Sequence, residues 1–270
     1  MDEPLCGDEI HLYLQLNIGV AKAPADGDDA AKLLQKADTA LSHGKRNGAL
    51  VQHYDPSMDA DSALRLSLVN DLKTAIDSDQ LVLFYQPKLD LKTGHIGHLE
   101  ALVRWIHPKQ GMVPPDAFIS IAEQTGQIDN LTNWVLRSAV TQVKAWKDHG
   151  IDLVVAVNLS ANDLMNEDLP AQVHGLLEEY GLAPQMLNLE VTESAVMQDV
   201  DRALRTLDAL ARLGTPLSLD DYGTGYSSLS YLTRLPVDTI KIDMSFVREL
   251  AHCEQARQIY KGMIDICKAM

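Results

Sequence analysis

The sequence predicts an α/β fold organised as a (β/α)8 barrel, preceded by a smaller α/β segment. Three observations carry that prediction. Beyond Gln80, short apolar runs alternate with helical stretches, the signature of parallel β/α architecture. Runs such as Leu153-Val-Val-Ala-Val157 are apolar throughout, as strands covered on both faces should be. Asn158, Glu190, Asp220 with Asp221, and Lys241 with Asp243 each fall at or near the end of a different run. Barrel enzymes draw their catalytic groups from the carboxyl ends of several strands, so this distribution favours the barrel. A doubly wound sheet satisfies the first two observations, but it more often carries Gly-x-Gly-x-x-Gly after its first strand, and none is present.

The first part of the chain reads as a strand from Leu12 to Val20, an amphipathic helix from about Asp29 to Arg46, and a short strand from Leu50 to Tyr54. These are too few to form an independent core. Between Ser57 and Asp77, Leu64, Leu66, Leu68, Val69, Leu72 and Ile76 follow helical spacing and predict a helix leading into the larger domain. The expected organisation is therefore 1–56 as the small segment, 57–79 as a linking helix and 80–270 as the main domain. Six strands are expected there: Leu81 to Gln86, Leu99 to Trp105, Leu153 to Leu159, Leu187 to Val191, Pro216 to Asp220 and Thr239 to Ile242. The expected helices are Leu131 to Asp148, Leu169 to Tyr180, Asp201 to Leu213 and Glu254 to Met270.

Composition narrows the function. With 270 residues, 46% of them apolar, and a formal net charge of −15, the chain can bury a substantial core. That charge argues against broad binding to nucleic-acid polymers or anionic membranes, which need clustered Lys and Arg. A small anionic ligand held through metal ions stays compatible with it. Cys6, Cys253 and Cys267 are widely spaced, so neither a disulfide framework nor a zinc knuckle is suggested, and a reducing cytoplasm is the expected location. No apolar run approaches membrane-spanning length, and any membrane or sensor segment is expected outside this chain. The histidines lack metal-ligand spacing. His95, His98 and His107 read as structural or solvated, and Trp105, Trp134 and Trp146 as core.

The segment Leu217-Ser-Leu-Asp-Asp-Tyr-Gly-Thr-Gly-Tyr-Ser-Ser228 is the most informative stretch. Strand side chains alternate, so Asp220 and Asp221 can serve one site only where the strand is ending. Gly223 and Gly225 then allow backbone angles closed to other residues. Alone, the segment reads as an Asx-type turn. Together with Glu100, Asn158 and Glu190 it forms an all-oxygen ligand set, which suits Mg2+ or Mn2+ rather than zinc. Two such cations about 4 Å apart can clamp the attacking and leaving oxygens of a phosphoryl displacement, with Lys241 stabilising the attacking hydroxide or the developing charge.

Several motifs give the chain a family resemblance. They are Tyr85-Gln86-Pro87, Glu100-Ala101-Leu102, Val157-Asn158-Leu159-Ser160, Leu189-Glu190-Val191-Thr192-Glu193-Ser194, the Asp-Asp-Tyr-Gly-Thr-Gly-Tyr-Ser-Ser segment and Ile240-Lys241-Ile242-Asp243. In this order they resemble the EAL domain, the bacterial phosphodiesterases that hydrolyse cyclic di-GMP to linear pGpG. The resemblance implies that Glu100, Asn158, Glu190 and Asp220 are metal ligands and that Asp221 serves a second metal. It implies that Lys241 holds the catalytic water, that Glu193 anchors the glycine-rich loop, and that Gln86, Leu102 and Arg104 contact the dinucleotide. Tyr222 stands where the family usually has phenylalanine. Pairing of two copies near the glycine-rich loop is a further implication.

The N-terminal part resembles the last third of a GGDEF domain through Leu16-Asn17-Ile18-Gly19-Val20-Ala21, Ala37-Asp38-Thr39-Ala40-Leu41 and Lys45-Arg46-Asn47-Gly48. The signature loop of that domain is not in this chain, which excludes cyclase activity for this polypeptide. An EAL domain also ends with two further strands, one bearing an Ala-Glu-Gly-Val-Glu motif, which the chain does not reach before Met270. The resemblance thus implies an incomplete barrel in a fragment truncated at both ends. The parent is expected to be an active phosphodiesterase and this polypeptide weakly active or inactive. Two other readings remain: a degenerate EAL module that binds cyclic di-GMP as a receptor, and an enolase-type lyase, whose barrel also combines strand-end carboxylates, Mg2+ and a lysine base.

Overall fold

The computed structural model describes residues 5–6, 11–12, 16–224, 229–250 and 253–269. The chain divides into two compact units, Met1–Asp71 and Leu72–Met270. In the first, β1 (Leu5–Cys6) pairs antiparallel with β2 (His11–Leu12). There β3 (Ile18–Val20), α1 (Ala30–Arg46) and β4 (Val51–His53) form a β–α–β unit with parallel strands. Asp29 starts α1 by accepting from the Lys32 N–H, and Ala40, Tyr54 and Met58 form a small apolar cluster. The expected strand from Leu12 is seen over Ile18–Val20, while residues 13–15 of that expectation lie outside the described residues. The next element, α2 (Ser57–Ile76), crosses the division between the units.

The second unit is built on one seven-stranded sheet. Its strands are β5 (Leu81–Leu89), β6 (Ile96–His107), β7 (Gly111–Val113), β8 (Val154–Leu159), β9 (Leu187–Thr192), β10 (Leu217–Tyr222) and β11 (Thr239–Ile242). The spatial order is β11-β10-β9-β8-β6-β5, with β7 paired to β6. From β6 to β11 the long strands run parallel, and helices α3 (Pro115–Thr125), α4 (Ile128–Asp148), α5 (Ala161–Leu164), α6 (Leu169–Tyr180), α7 (Glu193–Met197), α8 (Val200–Arg212) and α9 (Leu229–Leu232) fall between them. After β11 come α10 (Met244–Arg248) and α11 (Glu254–Ala269).

Three features differ from the sequence expectation. The first strand is antiparallel: β5 and β6 form a hairpin from Leu81↔Trp105 to Leu89↔Ile96, turning through residues 90–95 where Asp90 accepts from the Lys92 and Thr93 N–H groups. It also runs three residues past Gln86, through Pro87. Proline cannot donate to a ladder, but an edge strand tolerates it. Seven strands rather than six make the sheet, because Gly111, at φ +69, lets the chain fold back as β7. The third difference is α3, bounded by Pro115 in its first turn and Gly126 in the left-handed conformation after its end.

The two faces of the central strands differ in kind. Val155, Val157, Leu159, Leu187, Leu189, Val191, Leu217 and Leu219 are all buried on one face, where α4 meets β8 and α8 meets β10. The alternate positions carry Ala156, Asn158, Asn188, Glu190, Ser218 and Asp220. These strands therefore do alternate, large aliphatic against small or polar, a contrast that the run Leu153-Val-Val-Ala-Val157 conceals. Leu189 is fully buried, so Leu189→Ala is expected to cost about 2–5 kcal/mol, read as a lowered midpoint in chemical denaturation with an unchanged slope.

Candidate active site

Register places the polar residues on one side of the sheet. Glu100 pairs with Ala156, two residues before Asn158; Asn158 pairs with Glu190; Glu190 pairs with Ser218, two residues before Asp220. Leu219 pairs with Ile240, which sets Lys241 beside Asp220. Steps of two keep a side chain on the same face, so five neighbouring strands, β6, β8, β9, β10 and β11, deliver their groups to one point.

At that point three carboxylates close on one ammonium. Lys241 Nζ donates to Glu100 Oε2 at 3.2 Å, Glu190 Oε2 at 2.6 Å and Asp220 Oδ2 at 2.5 Å. Asn158 Nδ2 donates to Glu100 Oε1 at 3.0 Å. Glu190 is fully buried, while Lys241, Glu100 and Asp220 keep 25%, 16% and 19% of their side-chain surface. Burial pushes the Lys241 ammonium down, but its bonds to Asp220 and Glu190 outweigh this and hold it above the ordinary lysine value. Burial likewise pushes the Glu100 carboxyl up, yet the Asn158 amide and the Lys241 and Lys88 ammoniums leave it below the usual carboxylate range.

The paired aspartates are resolved by the backbone. Asp221 adopts φ +54, the left-handed region, and β10 shifts register against β11 between Leu219 and Tyr222. This break in the alternation frees Asp221 from the face opposite Asp220. Asp220 Oδ1 accepts from the Asp221 N–H at 2.8 Å, one residue on rather than the two residues of an Asx turn. Asp221 is exposed. Its carboxyl is pushed up by partial burial and by the neighbouring Asp220 and Asp243 carboxylates.

Glu193, buried at the start of α7, accepts from the Gly223 N–H at 3.1 Å. Gly223 sits at φ +100, and a Cβ there would come within 2.8 Å of the Phe246 ring, so the position requires glycine. The expectation for Gly225 falls at residues outside those described. Removing the carboxylate in Glu193→Ala is expected to speed exchange of the Gly223 amide by several-fold to about tenfold, measurable by hydrogen exchange; an unchanged rate would show that Glu193 does not hold the turn.

Leu102 and Arg104 line a cavity of about 370 Å3 together with Asn158, Thr132, Thr192 and Ser194. Arg104 lies over the Phe84 ring at 5.8 Å and donates to the Val103 carbonyl, rather than packing on Trp105. Gln86 pairs with Glu100 across the hairpin and is exposed. His107 is buried and accepts at Nδ1 from the Lys109 and Gln110 N–H groups, and Asp243 caps α10 by accepting from the Ser245 N–H.

One residue of the cluster escaped the sequence reading. Lys88, paired with His98 across the hairpin, bonds through Nζ to Glu190 Oε1 and lies 3.7 Å from Glu100 Oε2. It stands two residues beyond Gln86, on the same face, and strand alternation carried past Pro87 would have found it.

Glu100, Glu190 and Asp220 each present an oxygen within 4.8 Å of the others, a group that can hold a metal ion. The fit is chemical as well as spatial. The donors are carboxylates and an amide, the hard oxygen set of Mg2+ or Mn2+, and the Lys241 ammonium already lies among them as a cation.

This sheet, with its strand-end carboxylates, places the chain in a known class: it belongs to the EAL domain family, whose model matches residues 69–270. It is 40% identical over 274 residues to the cyclic di-GMP phosphodiesterase NbdA of Pseudomonas aeruginosa, covering 100% of this chain and 35% of that protein. It is also 40% identical over 261 residues to the bifunctional diguanylate cyclase/cyclic di-GMP phosphodiesterase MucR of the same species, covering 95% of this chain and 38% of that protein. Among solved structures, the PaMucR phosphodiesterase in its c-di-GMP complex superimposes with a TM-score of 0.71 at 42% identity, over 75% of this chain and 83% of that one. The chain spans little more than a third of the length of these two curated relatives. No helix among the described residues is long and apolar enough to cross a membrane.

Proposed function

We propose that this EAL domain hydrolyses cyclic di-GMP to linear pGpG in a reaction that depends on Mg2+ or Mn2+, with low turnover expected of this polypeptide. The observation that carries the reading is the convergence of Glu100, Glu190 and Asp220 on Lys241 Nζ from four different strands. The named activities of NbdA and MucR, and the ligand of the PaMucR structure, support the substrate.

In this reading Glu100, Asn158, Glu190 and Asp220 hold the cations, with Asp221 serving the second. Divalent cations at such a site neutralise charge on a phosphoryl oxygen and make bound water a better nucleophile at neutral pH. Lys241, which donates to Glu100, Glu190 and Asp220 at the centre of the cluster, is the residue assigned to hold the attacking water. The water oxygen bonds to one phosphorus as the bond from that phosphorus to a ribose 3′ oxygen breaks, and one water proton ends on that oxygen, so the ring opens to a 3′ hydroxyl and a 5′ phosphate. Arg104 offers a planar guanidinium to a phosphate, Leu102 and Gln86 contact the dinucleotide, and Glu193 keeps the glycine-rich loop in place.

The first unit fits the closing part of a GGDEF domain. The parallel β–α–β arrangement of β3, α1 and β4 supports this, as does a match to bifunctional MucR that covers 95% of the chain.

Incubation with cyclic di-GMP and Mg2+, followed by anion-exchange chromatography, tests the activity. Linear pGpG is the expected product. Retention of the dinucleotide without product would favour the receptor reading.

A further inference from the structure

The three carboxylates of the cluster are met by two ammonium groups, and the second has no part in the chemistry described above. Both oxygens of the buried Glu190 are occupied, Oε1 by Lys88 and Oε2 by Lys241. With no surface of its own, Glu190 cannot turn an oxygen to solvent. A divalent ion takes carboxylate oxygens at about 2.0–2.2 Å, which an ammonium bonded to the same oxygens obstructs by both contact and charge.

We propose that Lys88 is a built-in counter-cation that competes with the divalent ion for Glu190 and Glu100 and withdraws when the site loads. The inference rests on the metal-site reading. The geometry identifies which lysine yields. Lys241 is held by three carboxylates between 2.5 and 3.2 Å, whereas Lys88 makes one hydrogen bond, to Glu190, and lies 3.7 Å from Glu100. The Lys88 side chain is also the more open of the two, 34% exposed against 25%. It stands on β5, at one end of the strand order and near the hairpin turn, where a long flexible stem can carry its head into water. Three carboxylates facing one remaining ammonium then present a more negative site to the incoming ion.

Calorimetric titration of Mn2+ into the chelator-stripped whole chain tests this, using wild type, Lys88→Met and Lys88→Arg. Lys88→Met keeps the apolar stem and loses the charge, and is expected to bind Mn2+ roughly tenfold more tightly, about 1.4 kcal/mol. Lys88→Arg keeps the charge and is expected to stay within about twofold of wild type. Circular dichroism of the metal-free variants checks that they are folded, and Lys88→Gln replaces the methionine variant if that one is not. Unchanged or weaker binding in the neutral variant, with wild type binding normally, overturns the role of Lys88 alone. Failure of every form to bind Mn2+ overturns the metal-site reading, and this inference with it.

Discussion

Replacing Lys241 with methionine is expected to destabilise the metal-free protein by about 3–5 kcal/mol, the scale on which removing one partner from a buried ion pair is felt. Three carboxylate oxygens meet at its Nζ, and methionine leaves them facing one another with Lys88 as the remaining ammonium in the cluster. Glu190, with no exposed surface, has no water to replace the lost donor at Oε2. Mn2+ should reverse much of the loss, because an ion that binds only the folded state adds about 2.7 kcal/mol at a hundred times its Kd. Chemical denaturation of Lys241→Met in chelator and then in Mn2+ measures both effects. A midpoint equal to that of wild type in chelator would mean that the ammonium is not what neutralises the cluster. Turnover should stay lost even in Mn2+ if Lys241 holds the attacking water as proposed.

Asp220→Ala should have the opposite balance, with a small effect on stability and a large one on catalysis. Lys241 keeps Glu100 and Glu190 when Asp220 is removed, so the cluster loses one negative charge and remains neutralised. Two functions disappear together, however. Oδ2 is no longer available to the proposed cation site, and Oδ1 no longer accepts from the Asp221 N–H that accompanies its left-handed backbone. Turnover of cyclic di-GMP is expected to fall by about a hundredfold or more, beyond the roughly 10–100-fold typical when outer partners of metal ligands are removed. Steady-state kinetics at saturating metal provide the measurement. Unchanged turnover would remove Asp220 from the site and with it the proposed ligand set. Asp220→Asn retains an acceptor for the Asp221 N–H, so comparison of the two variants separates the ligand role from the turn.

Much of this site was legible because strand periodicity and residue type point the same way. Asn158, Glu190, Asp220 and Lys241 interrupt or end apolar runs, and a charged group at the end of a buried strand is expensive unless partnered. Their convergence then followed from parallel register, which steps from Glu100 to Asp220 two residues at a time. Other parts were hidden for identifiable reasons. Pro87 reads as a strand terminator, and only pairing along the single ladder to β6 lets β5 continue to Lys88 and Leu89. The antiparallel hairpin was obscured because ending the first strand at Gln86 and starting the second at Leu99 leaves a gap far longer than the turn at residues 90–95, although Asp90 and Gly94 are turn residues. Helix α3 announced itself through Pro115 and Gly126, but its short apolar face of Phe118, Ile121 and Ala122 gives little periodic signal. How Asp221 escapes strand alternation could not be read from residue type, because the left-handed angle and the register shift belong to the folded backbone.

The carboxylate cluster around Lys241 is proposed as a divalent-cation site that opens cyclic di-GMP. Its most direct test is one time course of cyclic di-GMP consumption by the chelator-treated protein, before and after Mg2+ or Mn2+ is added. The account predicts no product in chelator and the appearance of pGpG once the metal is supplied. Hydrolysis at the same rate in chelator, or no hydrolysis with metal despite bound dinucleotide, would contradict it.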